Sequence, residues 1–295
     1  MKVSILFGLL IASSLINAQE NNRKSNSSIS INFSSVPLMS TSAGDTSFEN
    51  AFSITPIIDL RTKTGWGISY APSIVTSGLH PGIYMHTVSA GYERYGEKNF
   101  DLAFNYNHFF FSKNEQVPYS PLNNEIYFYL NYTQYLLQPV LASSIGFGTD
   151  TSGGTSSSVH DIDLVLGLNH HFNWEDKGIF SSIELTPSLL ANIGTNGYFS
   201  FLNNSKYLSH SNQFINYVKN GNGNRGRGRG RGGNNNTSTI PTASNFSLSN
   251  IEAALEGDFI MGSFTLRPNG SLFFPTGSNS NGIFGYCQLT VQYHF

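Results

Sequence analysis

The histidines and carboxylates of this chain are the side chains best able to do chemistry, and their spacing excludes most of it. Hydrolysis by an activated serine needs a hydroxyl beside an imidazole base. On a strand that means two residues apart, and no histidine here is followed by serine at that offset. His210-Ser211-Asn212 has a suggestive composition, but neighbouring residues on a strand face opposite ways. No Gly-x-Ser-x-Gly elbow occurs. The rings of His170 and His171 would likewise point to opposite faces, so they cannot share a metal. His160-Asp161-Ile162-Asp163 places two carboxylates on one face, a pair that Ca²⁺ could use and that solvation also explains. The expectation is no catalytic site, no metal site and no cofactor.

Two low-complexity stretches invite nucleotide readings and do not sustain them. Gly221-Asn222-Gly223-Asn224-Arg225-Gly226 matches a dinucleotide fingerprint, but it neither follows a strand pattern nor opens a helix. The arginine-glycine run from Asn224 to Gly233 is of a kind that binds RNA. The N-terminus argues against that partner. Lys2, an apolar run from Val3 to Ile16, and Ala18 before Gln19 mark a secretory signal peptide over residues 1–18. The run is too short for the roughly 20 apolar residues of a spanning helix. Outside a cell the basic run would meet lipopolysaccharide phosphates rather than nucleic acid. With Cys287 the only cysteine, there is no disulfide framework and no lipid-bearing cysteine after the cleavage point.

The elements that must position any site are strands. Period-two alternation recurs over twelve segments: Ser28–Val36, Ala51–Leu60, Gly65–Val75, Ile83–Tyr95, Asn99–Phe111, Glu125–Leu136, Val140–Thr149, His160–Phe172, Ile179–Ala191, Phe246–Phe259, Ser263–Phe274 and Ile283–Phe295. Segment three shows the pattern well, with Trp66, Ile68, Tyr70, Pro72 and Ile74 against Gly67, Ser69, Ala71 and Ser73. Short connections follow the even segments: 61–64, 96–98, 137–139, 173–178 and a tight turn near Met261. Long ones follow the odd segments, the longest at 192–245. Membrane barrels alternate short periplasmic turns with longer outer loops. Charged residues make up only 12% of the chain and aromatic residues 14%. A soluble domain carries about 25% charge, and a belt facing hydrocarbon removes that need. The expected fold is an all-β, closed antiparallel transmembrane barrel of twelve strands over residues 28–295, after a periplasmic tail at 19–27.

Trp66, Trp174, Phe100, Phe172, Phe180, Phe264 and Tyr293 fall at the short-turn end, as an interfacial aromatic girdle requires. Pro56, Pro72, Pro187 and Pro268 fall on the apolar face, where each should weaken a ladder position. The opposite face is acidic. Asp59, Glu93, Asp101, Glu125, Asp161, Asp163, Glu184, Glu252, Glu256 and Asp258 alternate inward, and Arg267 is the one confidently inward base, the others being placed in tails, turns, loops or strand ends. Rings of carboxylates favour cations in a pore. Tyr127, Tyr129, Phe273 and Tyr286 also alternate inward and would narrow the bore.

The final Leu289-Thr290-Val291-Gln292-Tyr293-His294-Phe295 resembles the C-terminal strand of bacterial outer-membrane barrels. The resemblance covers that strand and the architecture alone, with a Gly/Asn-rich style similar to small Bacteroidota proteins. It implies recognition by the barrel-insertion machinery, a bacterial outer-membrane location, and a chain with neither a plug nor a trailing domain. The function expected is a porin-like passive channel with an acidic, cation-preferring lumen that passes small cationic solutes. The alternatives are an occluded barrel whose outer loops bind a partner or lipopolysaccharide and, more distantly, a barrel lipase or esterase.

Overall fold

The computed structural model describes residues 27–42, 45–76, 81–95, 99–112, 122–150, 156–195, 246–276 and 283–295. The signal peptide, nearly all of the N-terminal tail, the 198–218 stretch and the arginine-glycine run lie outside them.

Thirteen strands follow one another: β1 Ser28–Ser42, β2 Asp45–Arg61, β3 Trp66–Val75, β4 Gly82–Arg94, β5 Phe100–Phe111, β6 Asn124–Tyr132, β7 Gln138–Asp150, β8 Ser157–Asn169, β9 Phe172–Lys177, β10 Phe180–Gly194, β11 Ser247–Met261, β12 Phe264–Pro275 and β13 Phe284–His294. Consecutive strands pair antiparallel, except that β8 and β9 both pair with β10, and β13 pairs back onto β1 with Ser28 opposite His294. The ring is closed, so the wall has no edge strand, although β1 beyond Phe33 pairs with β2 alone.

β8 and β9 are two halves of one wall strand. Both pair with β10 in an unbroken register, Asn169 opposite Ser188 and Phe172 opposite Leu185. The break at His170-His171 has a cause in β10. Pro187 accepts a hydrogen bond from the His170 N–H at 3.1 Å but has no N–H to return. The wall therefore has twelve strands, as the alternation predicts. Pro56 and Pro72 face the same gap in the β2–β3 ladder, which skips from the Ile54–Ile74 pair to the Ile58–Tyr70 pair. The β11–β12 ladder skips around Pro268 in the same way.

Four boundaries differ from the sequence expectation. β2 extends through Arg61, so the first short turn is Thr62–Gly65. β6 ends at Tyr132 and the following turn is Thr133–Leu137, not 137–139. Trp174 lies in β9 rather than in a connection, and the turn after it is the two residues Gly178 and Ile179, with Gly178 at φ 69°. The first outer connection is not long: β1 and β2 keep pairing up to Ser42 opposite Asp45. Each change extends or trims pairing at a strand end, where alternation carries least information.

Following the pairings once around the ring returns to β1 about 16 residues along, which tilts the strands by about 40–45° and gives a backbone radius of about 12 Å. Apolar side chains cover the outside, among them Ile68, Leu189, Leu255 and Leu272, all exposed. At the short-turn end aromatic pairs ring the belt. Trp66 meets Tyr92 at 5.4 Å, Phe100 meets Tyr132 at 4.9 Å, and Phe264 meets Tyr293 at 4.9 Å. Phe172 stacks on Trp174, and Phe180 meets Phe259 edge-on.

Candidate functional site: the barrel lumen

Every acidic position expected on the inner face belongs to the inward set of its strand. The lumen they line has a different chemistry in its inner third, near the short turns, from that in its outer half.

In the inner third the carboxylates meet guanidinium groups. Arg61, placed in a turn by the sequence reading, is instead a buried inward residue of β2. Its Nε donates to Asp59 at 2.8 Å, its Nη2 lies 2.9 Å from Glu93, and its Nη1 donates to the Gly65 carbonyl at 3.3 Å. Asn105 donates its amide to the same Glu93 oxygen at 3.1 Å. Two glycines make room for this group. Gly67 is in register with Arg61, and a Cβ there would stand 2.6 Å from the Arg61 Cγ. Gly91 is in register with Asn105, whose side chain fills the space a Cβ would need. Further around the ring, Arg267 grips Asp258 with two parallel hydrogen bonds of 2.5 and 2.9 Å, the fork geometry that suits arginine to a carboxylate. Glu256 accepts from Asn269 at 3.3 Å, Asp101 accepts from Asn131 at 3.2 Å, and Glu184 lies 3.7 Å from His171.

In the outer half amides and hydroxyls hold the carboxylates. Asn107 donates to Glu125 at 2.8 Å. Glu252 accepts from Ser271 at 2.7 Å and from Asn192 at 3.3 Å, while Asn192 also donates to Asn250 at 2.6 Å. Thr195 donates to Asp161. Asp163 is in register with Gly194, where a Cβ would crowd its carboxylate at 2.9 Å. Glu125, Asp161 and Glu252 are fully buried.

One sector of the wall is apolar. Ala103, Tyr127, Tyr129, Val140, Ala142, Val165 and Leu190 form a buried cluster from β5 to β10. A second cluster, with Tyr84, Met85 and Phe109, lies nearer the outer end. Phe273 and Tyr286 are buried inward as expected. Among the described residues no group of three His, Cys, Asp or Glu side chains could hold a metal ion. The sequence reading missed Arg61 because it ended the second strand at Leu60. The signal was present, since Arg61 stands two residues from inward Asp59.

The chain is a closed antiparallel β-barrel. Among solved structures it is similar to the β domain of the Bordetella autotransporter BrkA, at 9% identity and TM-score 0.44, over 92% of this chain and 100% of that one. It is also similar to the translocator domain of the autotransporter NalP from Neisseria meningitidis, at 8% identity and TM-score 0.39, over 99% and 96%. A bacterial polysaccharide outer-membrane secretin matches at 10% identity and TM-score 0.33, over 91% and 98%. No family model and no curated protein matches.

Proposed function

We propose that this is a bacterial outer-membrane β-barrel acting as a narrow, cation-preferring passive channel, without catalytic activity. The observation that supports this most is the sign of the inner face. The ten carboxylates expected inward and two guanidiniums, Arg61 and Arg267, lie on the inner face, and Glu175 and Lys177 continue the same parity at the exposed short-turn end. Charges on the lipid side would cost about 2–4 kcal/mol each at mid-membrane, which accounts for their confinement to one face but not for their common sign. An acidic bore walled by low-dielectric protein concentrates cations and repels anions. Buried Tyr127, Tyr129 and Phe273 occupy part of a bore about 12 Å in backbone radius. The passage in this reading is therefore selective and small, unlike a wide diffusion pore.

The test is the reversal potential of the purified barrel in a planar bilayer across a salt gradient. A sign showing preference for potassium over chloride is expected; chloride preference would refute the charge argument. The complete burial of Glu125, Asp161 and Glu252 supports a second reading, an occluded barrel whose business lies in its outer loops, with lipopolysaccharide as one partner. Absence of conductance from folded protein would select it.

A further inference from the structure

The lipid-facing belt is not uniform. On β1, β2, β12 and β13 its outward side chains at mid-depth are apolar, as with Ile31, Ile54, Leu272 and Leu289. On β3 to β6 the same face carries hydrogen-bonding groups. Tyr70, Val88, His108 and Asn124 stand opposite one another across these four strands, with His86 and Tyr106 one outward position away on β4 and β5. All point outward, opposite in parity to buried Ser69, Thr87, Asn107 and Glu125. Tyr70, Val88 and Tyr106 are exposed.

Depth decides what can meet these groups. Trp66 and Tyr92 pair in the girdle at the short-turn end. Tyr70 is four residues along β3 from Trp66, and His86 six along β4 from Tyr92. At the rise and tilt of the strands they stand about 10 and about 15 Å into an apolar band about 25 Å tall. His108 and Asn124, each eight residues from the Phe100–Tyr132 pair, stand about 20 Å in. Neither water nor a lipid headgroup reaches Tyr70 and His86, and acyl chains offer no polar atom. Polar side chains at that depth are expensive and are normally covered by protein.

The groups satisfy one another only in part. Tyr70 Oη lies 2.7 Å from His86 Nδ1, while His108 Nδ1 and Tyr106 Oη lie 2.8 and 2.6 Å from Asn124 Oδ1. Asn124 Nδ2 donates to the Phe147 carbonyl at 3.3 Å, which sets the amide's orientation. Its Oδ1 accepts, so neutral His108 carries its proton on Nδ1 and presents Nε2 as an acceptor. Among the described residues the Tyr70 phenol has His86 Nδ1 as its acceptor, which puts the His86 proton on Nε2, a donor. Neither Nε2 has a partner among the described residues. One donor and one acceptor on adjacent strands of one face are what a self-complementary, two-fold contact requires.

We propose that the outward face of β3–β6 is the interface of a homodimer with its two-fold axis along the membrane normal. His86 of each copy donates to the partner's His108, and Val88 lies at the centre of the contact. The interface depends on the barrel's place in a bilayer and not on what passes the lumen.

Oxidative cross-linking of the full chain, folded in phosphatidylcholine liposomes at low protein density, tests it. In a Cys287→Ser background, Val88→Cys is compared with Leu272→Cys, which lies nearly opposite across the ring. A disulfide-linked dimer is expected through position 88 and none through 272. The double variant His86→Leu/His108→Leu, its folding verified by heat-modifiable gel mobility, should dissociate about tenfold more readily on dilution into excess lipid, as loss of two symmetry-related hydrogen bonds between membrane segments implies. A wild-type monomer in liposomes, equal cross-linking at both positions, or a folded double variant that dimerises as tightly as the wild type would overturn the proposal. A monomer that retains lipopolysaccharide through the same two histidines would assign this face to a lipid instead.

Discussion

The two levels of the lumen solve the same problem with different chemistry. In the inner third, buried carboxylates are held by Arg61 and Arg267; in the outer half, Glu125 and Glu252 are held by Asn107, Asn192 and Ser271. A guanidinium neutralises charge and fixes geometry, whereas an amide or hydroxyl supplies a donor and leaves the charge in place. On the proposed channel reading, the outer half is where a cation would sense acidic groups. The inner third gains rigidity, and removing a partner there exposes a buried charge.

Substitutions separate these levels by size of effect. Arg61→Ala should be the most damaging, because it leaves Asp59 and Glu93 buried beside one another. A loss of about 3–5 kcal/mol is expected in urea unfolding from lipid bilayers. If the loss matched that of an outer-half amide, the contrast would fail. Asn192→Leu comes next. It removes the donor shared by Glu252 and Asn250 and should cost about 1–3 kcal/mol by the same measurement. Gly91→Val acts on the inner level through space rather than charge. Its side chain displaces Asn105 from Glu93, and the heat-modified gel shift should occur at lower temperature than in the wild type. Smallest is Glu252→Gln, which keeps the shape and the acceptor for Ser271 and gives up only the longer 3.3 Å contact from Asn192. Stability should change by no more than about 1 kcal/mol, while the reversal potential moves toward zero.

Much of this was legible in the sequence. Alternation in β5, β6 and β12 placed Asp101, Glu125 and Arg267 on the inner face, because a half-buried strand leaves no other arrangement. The twelve-strand wall followed from the same period. Strand ends were harder. Arg61 was read as a turn residue although its parity with Asp59 continues, because alternation does not mark the residue at which pairing stops. Residues 37–50 were read as a connection, yet 37–42 pair with 45–50. The amide contacts to the carboxylates were beyond reach, since they depend on which cross-strand neighbours carry the acids. Only the register supplies that, as where Gly91 lets Asn105 approach Glu93.

All of this depends on one division, in which adjacent residues of a strand look into different media. Phe273 and Phe274 of β12 isolate it, one fully buried inward and the other exposed outward. Phe273→Trp and Phe274→Trp, each in a background with Trp66 and Trp174 replaced by phenylalanine, can be compared in bilayers of brominated lipid. The division predicts strong fluorescence quenching at 274 and little at 273. Equal quenching at both positions, or the reverse order, would contradict it.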